Sequence, residues 1–271
     1  MFNIIFKSKL IRKTKLYLLL FKMAKLEGKV SIVTGGGSGI GRGIAILFAK
    51  EGSEVIIIGR TEQLLKETCE FNPKKITYIV GDITKEESIN NLIEYITKKF
   101  GKLDILVNNA GLSIGESIKE LKLSSYDKTF DLNVRALVNM TITCLPLILK
   151  SKGNILNISS ISSQISHPGM SMYSGSKAAI DSFTRIWAKE LAKDNVRVNA
   201  ISPGAIETDI WNKANIPKDS IEKYKESVKK RIPCERFGTP EEVAKVALFL
   251  VSDDARYING SIYNIDGAGD F

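Results

Sequence analysis

Tyr173 and Lys177 are the residues of this chain whose types and spacing best suit proton transfer. Residues four apart project from one face of a helix, about one turn from each other. An ammonium beside a phenol stabilises the phenolate and lowers the tyrosine pKa towards neutrality. Such a tyrosine can give a proton to a carbonyl oxygen during reduction and take it back during oxidation. A tyrosine–lysine pair at this spacing also occurs on ordinary helix surfaces, so the neighbouring motifs must decide.

Ser160 can act on the same oxygen, because it follows the fifth apolar run of the chain, 154–158. A run of this kind predicts a buried strand, and parallel sheets bind ligands at the carboxyl ends of their strands. A hydroxyl in that place can donate a hydrogen bond to a carbonyl oxygen and polarise it.

The glycine-rich segment TGGGSGIG, residues 34–41, directly follows the first apolar run. Glycines allow a tight turn and a close approach of the backbone to a pyrophosphate. The N–H groups and the dipole of the helix that follows favour an anion. The strand–turn–helix context therefore predicts a dinucleotide site.

The end of the second predicted strand indicates which dinucleotide is bound. An acid usually holds the adenosine ribose 2′-hydroxyl there, but this strand ends in Gly59 and Arg60 without a carboxylate. The planar guanidinium of Arg60 can pair with a 2′-phosphate, so NADP is predicted over NAD. Ser38 in the glycine turn adds no second cation, which predicts a partial preference. The alternative is that Arg60 is a solvated residue beside a helix start.

Apolar runs and helical patterns alternate from residue 29 onwards. Seven predicted strands cover 30–34, 55–58, 76–80, 103–107, 154–158, 196–201 and 261–265. Predicted helices cover 39–51, 62–70, 86–100, about 124–150, about 173–193 and 240–252. Such alternation predicts a parallel sheet covered on both faces. We therefore expect residues 23–271 to form one α/β domain with a doubly wound Rossmann-type sheet of about seven strands.

Composition excludes several other classes of protein. With 271 residues, 44% hydrophobic and 25% charged, the chain has the composition of a soluble globular protein. Its three cysteines are widely spaced and its single histidine is His167. No zinc site or disulfide framework follows from this set, and we expect a reducing compartment, the cytoplasm. A Ser–His–Asp hydrolase would depend on His167 alone, which disfavours that chemistry.

The net charge of +9 belongs mostly to the N-terminus. Residues 1–22 carry six basic residues and no acid, so the remaining chain is only +3. We expect no nucleic-acid binding by the globular part. The extension has no apolar run near the roughly 20 residues that a membrane span needs, so no integral membrane segment is expected. It could be a surface amphipathic helix, an organellar presequence, a disordered extension or the product of an upstream start codon.

Together these motifs resemble those of the short-chain dehydrogenases/reductases. Over about residues 26–271 they keep the family's order and spacing, with Ser160 thirteen residues before Tyr173. The matching segments are TGGGSGIG (34–41), GDIT (81–84), NNAG (108–111), DLNV (131–134), NISS (157–160), YSGSK (173–177), SPGAIET (202–208), RFGTPEEVA (236–244) and YINGSIYNIDG (257–267).

The resemblance implies a role for each matched residue. Tyr173 is the expected general acid/base, and Lys177 the residue that lowers its pKa and holds the nicotinamide ribose. Ser160 is expected to polarise the substrate carbonyl, Ser159 to support the strand end, and Asn133 to keep a water in a proton relay. The expected cofactor contacts, besides Arg60, Tyr173 and Lys177, are Gly35, Ser38, Gly39, Ile40, Gly41, Asp82, Ile83, Asn109, Ala110, Gly111, Pro203, Gly204, Ile206 and Thr208.

The reaction expected from this resemblance is the interconversion of a ketone and a secondary alcohol. The residues define the substrate less well. The chain is similar both to 3-oxoacyl-carrier-protein reductases and to bacterial hydroxysteroid and sugar dehydrogenases. A 3-oxoacyl thioester and a hydroxysteroid are the leading substrates. The variable lid after residue 206 has seven basic and three acidic residues within 212–231, which could suit an acidic substrate or form a solvated face. The lid also has apolar residues that could cover a ligand: Ile210, Trp211, Ile216 and Tyr224.

Two other functional classes stay open at this stage. One is an NADP-binding sensor or interaction protein without turnover. The other is a protein that associates with membrane or nucleic acid through its basic extension. The family resemblance also implies a homotetramer paired through the helices at about 124–150 and 173–193 and through the C-terminal strand region.

Overall fold

The computed structural model of the chain describes residues 24–208 and 221–269. The strands are β1 (Val30–Thr34), β2 (Glu54–Gly59), β3 (Ile76–Val80), β4 (Ile105–Asn108), β5 (Asn154–Ile158), β6 (Arg197–Pro203) and β7 (Ile262–Ile265). The helices are α1 (Gly39–Lys50), α2 (Glu62–Glu70), α3 (Glu86–Phe100), α4 (Leu123–Phe130), α5 (Ala136–Ser151), α6 (Ser171–Glu190), α7 (Ile221–Lys229) and α8 (Pro240–Val251).

The strands form one seven-stranded sheet in the order β3-β2-β1-β4-β5-β6-β7. All of its pairings are parallel. The chain winds from β1 to one edge and then returns to build the other half from β4. This is the doubly wound order, and its ligand crevice lies at the carboxyl ends of β1 and β4, where the direction reverses. The predicted fold class is confirmed.

Both faces of the sheet are buried, which explains the continuous apolar strands. In β1, Val33 packs into the core under α1 and α8, together with Phe48 and Val243. Its neighbour Ile32 packs into the opposite core, which α3 and α5 cover. Because successive side chains of a strand point to opposite faces, a sheet covered twice favours apolar residues on both faces of its strands.

The segment 123–151 differs from the single regular helix that its sequence predicts. Between α4 and α5 lies a π-helical turn, Asp131–Arg135. A π-helical turn inserts an extra residue into the helix, and such turns are frequent at functional sites. The turn contains Asn133, which is buried.

This same segment is long and apolar enough to span a membrane, by length and composition only. It packs along β4 and α3, and it carries the polar residues Asn133 and Thr141 into the protein. Those contacts make it a core helix of the domain.

The predicted lid is described only from residue 221 onwards. There α7 is a helix that the sequence analysis did not predict. Ile210, Trp211 and Ile216, which were expected to cover the substrate, lie outside the described residues, as does the side chain of Tyr224.

Candidate active site

The glycine turn between β1 and α1 is packed too tightly for side chains. A Cβ on Gly41 would lie 2.4 Å from the carbonyl oxygen of Gly35 and 2.5 Å from Nδ2 of Asn109. Gly35 has φ of +67°, and a Cβ there would lie 3.1 Å from Cα of Ala110. The loop after β4 is thus in contact with the turn, and Asn109 fixes it by donating to the Thr34 carbonyl over 2.8 Å.

The N-terminus of α1 is open to an anion. The Ser38 side chain makes no capping hydrogen bond, and the first turn has no acidic residue. Arg42, in the first half of this helix, folds back onto the Gly37 carbonyl (2.6 Å) and pairs with Glu67 at 3.0 Å. The N–H groups that begin a helix lack intrahelical partners and carry positive partial charge. The turn therefore fits the pyrophosphate of a dinucleotide.

The adenosine end of the crevice is formed by the residues after β2 and β3. Arg60 is exposed beyond Gly59. Burial acts to raise the pKa of the Asp82 carboxyl, but hydrogen bonds from Thr84 and the nearby charge of Arg60 outweigh it and lower that pKa. Ile83 is buried in the core, so only its backbone is left to face an adenine ring.

The segment after β6 closes over the glycine turn. A Cβ on Gly39 would lie 3.1 Å from the Thr208 methyl group, so these two expected cofactor residues are neighbours. Gly204 has no room for a side chain, because its Cβ would lie 2.8 Å from Cα of Asp266. The side chain of Ile206, another expected cofactor residue, packs into the core beneath α8, where a Cβ on Gly238 would be 2.7 Å away.

Ser160 and Tyr173 meet at the carboxyl end of β5. Ser160 is buried, and its Oγ accepts a hydrogen bond from the backbone N–H of Ser162 over 3.2 Å. Burial raises the pKa of the Tyr173 phenol, while a hydrogen bond with Ser160 opposes that increase. The expectation of a lowered tyrosine pKa is not met in the protein alone, and the phenol holds its proton at neutral pH.

Lys177 lies beneath this pair, with only 4% of its surface exposed. Its Nζ donates to the Ile158 carbonyl at the end of β5 over 2.8 Å and lies 5.7 Å from the Tyr173 ring centre. Burial lowers the pKa of its ammonium to about 8, and the charge of Asp181 opposes that decrease. Ser159, as expected, supports this region, because its Oγ donates to the Lys177 carbonyl over 3.3 Å.

Asn133 connects the π-helical turn to the loop after β4. Its Oδ1 accepts from the N–H of Leu112, and its Nδ2 donates to the Leu112 carbonyl, both over 2.9 Å. The same Nδ2 donates to Ser176 Oγ on α6 over 3.0 Å. Gly111 passes between these groups, since its Cβ would lie 3.2 Å from Asn133 Oδ1 and 3.5 Å from Lys177 Nζ. The amide therefore holds the loop against α6.

An open groove lies between the loops after β4 and β5, and its lining does not include Ser160, Tyr173 or Lys177. Its lining includes Glu116, Lys122 and Met170, the residue just before α6. The two loops are joined by a hydrogen bond from the Glu116 N–H to the Gly169 carbonyl, over 2.8 Å. His167 lies half-buried in the second loop, where its carbonyl accepts from the Met170 N–H.

The comparison with known families agrees with this geometry. A family model described as enoyl-(acyl carrier protein) reductase matches residues 35–268. A solved structure of a short-chain dehydrogenase/reductase of unknown function from Caenorhabditis elegans, with cofactor, superimposes with a TM-score of 0.85. That structure is 36% identical and covers 90% of this chain and 95% of its own. The chain belongs to the short-chain dehydrogenase/reductase family. It is therefore an oxidoreductase of a family that uses a nicotinamide cofactor.

Curated relatives of this short-chain dehydrogenase/reductase carry different substrate names. The 3-oxoacyl-[acyl-carrier-protein] reductase FabG of Thermotoga maritima is 40% identical over 248 residues, which is 90% of this chain and 98% of that protein. An NAD-dependent glycerol dehydrogenase of Listeria innocua is also 40% identical, over 89% of this chain and 94% of that protein. Family membership thus fixes the reaction class and leaves the substrate and the type of dinucleotide to be determined.

Two features of the site in this dehydrogenase were missed by the sequence analysis. One is the π-helical turn, which has no sequence pattern of its own. The other is Asp181, one helical turn after Lys177, whose carboxylate is buried and receives a hydrogen bond from Ser163 over 2.6 Å. The i, i+4 spacing of Lys177 and Asp181 was a usable signal, because such residues lie on one helix face.

Proposed function

We propose that this protein is an NADP(H)-dependent oxidoreductase that interconverts a ketone and a secondary alcohol, with a 3-oxoacyl thioester as its substrate. One observation supports this proposal above the others. Ser160, Tyr173 and Lys177 lie together at the carboxyl end of β5, in the same crevice as the glycine turn and the uncapped N-terminus of α1. Three of the curated relatives are named 3-oxoacyl-[acyl-carrier-protein] reductases, which favours the thioester over a hydroxysteroid.

Ser160, Tyr173 and Lys177 each have a different role in proton transfer to the substrate. When bound, the nicotinamide cofactor supplies the hydride. Tyr173 Oη donates its proton to the carbonyl oxygen, and Ser160 Oγ donates a hydrogen bond to the same oxygen. The Lys177 ammonium stabilises the phenolate that remains. A phenol whose pKa is raised by burial keeps its proton at neutral pH, so this site is prepared for reduction and needs alkaline pH for oxidation.

The cofactor fits a cradle made of this chain's own backbone. The turn from Gly35 to Gly41 and the N-terminus of α1 would hold the pyrophosphate, and Asn109, Ala110 and Gly111 would lie along the dinucleotide. Asp82 and the backbone of Ile83 would flank the adenine. Pro203, Gly204, the backbone of Ile206 and Thr208 would border the nicotinamide end.

The test is initial-rate oxidation of NADPH, in parallel with NADH, over a panel of ketones. The panel contains an acetoacetyl thioester, 3-oxo and 7-oxo bile acids and a keto sugar. We expect turnover of the thioester, with a loss of about 10²–10⁴-fold in kcat for Tyr173→Phe, which removes the transferred proton. Turnover of a bile acid alone would replace the thioester by a steroid. Binding of NADPH without any turnover would favour the sensor function instead.

The preference for NADP rests on Arg60. It is exposed directly after β2, a strand that ends without a carboxylate, and the Asp82 carboxylate after β3 interacts with its charge. A hydrogen bond to a charged group contributes about 1.5–3 kcal/mol. Arg60→Ala should therefore raise the KM for NADPH about 10–150-fold and leave that for NADH within about twofold. Lys66→Ala is the matched control, because it removes one exposed positive charge from the adjacent helix α2.

We also propose that the enzyme is a cytoplasmic homotetramer. Large apolar side chains stand exposed on the outer faces of two helices, with Ile142 of α5 at 63% and Ile186 of α6 at 49%. Its three cysteines are all free, as a reducing compartment requires. Size-exclusion chromatography with light scattering should give four times the chain mass. Ile142→Glu with Ile186→Glu should lower that mass, and a monomeric wild type would contradict the proposal.

A further inference from the structure

Asp181 is a buried carboxylate that the proton-transfer scheme does not use. It lies on α6 with 3% of its surface exposed. Its Oδ1 has no hydrogen-bond partner among the described residues. Its Oδ2 contacts Ser163 Oγ over 2.6 Å. An ionised carboxylate taken out of water is strongly destabilising unless a positive charge compensates it.

Ser163 cannot by itself compensate that charge. Its Oγ is 2.6 Å from Asp181 Oδ2 and 2.8 Å from the Ser160 carbonyl oxygen. Both partners are acceptors, while a serine hydroxyl has a single proton to donate. The carboxylate thus receives one shared hydrogen bond at most, and the contact ties α6 to the turn that carries Ser160.

Lys177 is a buried cation on which the charge of Asp181 acts. It precedes Asp181 by four residues on the same helix, so the two side chains share one face. Tyr173, on the same helix, also faces Lys177, since its ring centre lies 5.7 Å from Nζ. The strand and turn residues against it are neutral, namely the Ile158 carbonyl and the hydroxyls of Ser159 and Ser160.

Among the described residues, the other elements that pack against α6 place no further buried charged side chain next to Lys177 and Asp181. Asp127 and Lys128 of α4 and Arg135 of the π-helical turn are exposed. Asp131 of the same turn pairs with Arg135 over 3.3 Å. Arg197, at the start of β6, donates to backbone carbonyls at the opposite end of the strand from the site.

We propose that Asp181 is a positioning residue that keeps Lys177 in its ammonium form and, through Ser163, fixes the turn that carries Ser160. This inference rests on the proposed function, because it concerns the lysine that stabilises the Tyr173 phenolate. Burial already lowers the pKa of Lys177 to about 8 against the opposing charge of Asp181. Without that carboxylate the lysine would lose its proton at a lower pH, within the neutral range.

Three substitutions separate the charge of Asp181 from its tether. Asp181→Asn keeps the shape and removes the charge. Asp181→Glu keeps the charge and lengthens the side chain. Ser163→Ala keeps the charge and removes the tether to the Ser160 turn. Thermal unfolding of each variant reports whether it folds as the wild type does.

The first readout needs neither cofactor nor substrate. The Lys177 ammonium is titrated by NMR in protein labelled with ¹³C at the lysine Cε, and Lys177→Met identifies its resonance. We expect the midpoint to fall by about one pH unit in Asp181→Asn, and to stay close to that of wild type in Asp181→Glu and Ser163→Ala. An unchanged midpoint in Asp181→Asn would mean that the buried carboxyl is neutral, and would overturn the proposal.

The second readout is the pH profile of ketone reduction. The alkaline limb should move to lower pH by a similar amount in Asp181→Asn. Ser163→Ala should lower kcat severalfold without moving that limb, because it loosens Ser160 and leaves the charge in place. A lower kcat with an unmoved limb in Asp181→Asn would show that Asp181 only supports the fold. If wild type reduces no ketone, the proposed function fails, while the NMR titration still decides the role of Asp181.

Discussion

Replacing Gly41 by alanine tests whether the cradle between β1 and α1 binds the cofactor. The new Cβ would lie 2.4 Å from the Gly35 carbonyl oxygen and 2.5 Å from Asn109 Nδ2. Contacts so short cannot persist, so the turn or the start of α1 must move. Overpacking of this kind costs about 1–3 kcal/mol, and for a domain of this size about 2–4 °C in Tm for each kcal/mol.

The same movement displaces the N–H groups that would bind the pyrophosphate. Losing one hydrogen bond to a charged group costs about 1.5–3 kcal/mol, which weakens binding by roughly 10–150-fold. The assays are fluorescence titration with NADPH and a thermal melt of the protein without cofactor. We expect Gly41→Ala to show both the weaker binding and the lower Tm.

Gly175→Ala provides the control for this substitution. A Cβ on Gly175 would meet nothing closer than Phe130 Cζ at 3.9 Å, and alanine favours a helix interior over glycine by about 1 kcal/mol. Its Tm should rise by about 2–4 °C, with unchanged NADPH affinity. Wild-type affinity and Tm in Gly41→Ala would refute the assignment of this turn as a close-packed phosphate cradle.

Three further predictions follow from the site and its frame. The kcat/KM for ketone reduction should be constant below pH 7 and decrease with a midpoint near pH 8, where Lys177 loses its proton. A kcat/KM that stays constant up to pH 10 would contradict this prediction. Asn133→Ala leaves the N–H and the carbonyl of Leu112 without their hydrogen-bond partners. It should lower the free energy of unfolding, measured by urea titration, by about 1–3 kcal/mol and reduce kcat. Wild-type stability would show that the Asn133 amide does not hold the loop in place. Thr239→Ala breaks the capping box with Glu242 at the start of α8. It should lower the free energy of unfolding by about 1 kcal/mol without changing kcat. A lower kcat would show that α8 affects the site.

The order of the elements was predictable from the sequence because it depends on local patterns. Apolar strands such as 30–34 and 154–158 are short and continuous, and the glycine turn marks the first strand–helix junction. Boundaries were less predictable: β4 is Ile105–Asn108, where residues 103–107 were expected. Leu103 is also fully buried, and burial alone does not reveal which residues join the ladder.

The chemical identity of the site was likewise present in the residue types and spacings. Tyr173, Lys177, Ser160 and Asn133 stand in motifs that the family keeps, and the structure brings them to one end of the sheet. Their electrostatics were not predictable in this way. The pKa of Tyr173 is raised where the spacing to Lys177 predicted a decrease, because burial depends on every element that encloses the phenol.

The sequence by itself determined the fold class, the family and the residues that could transfer a proton. All three depend on the local spacing of residues and on the order of the motifs. Only the tertiary structure decided that the Ile206 side chain packs into the core, that Asn133 lies in a π-helical turn, and that the charge of Asp181 acts on the buried Lys177. These features arise from contacts between residues distant in the chain or from the removal of water. Neither leaves a periodic pattern, because packing and desolvation are properties of the assembled molecule.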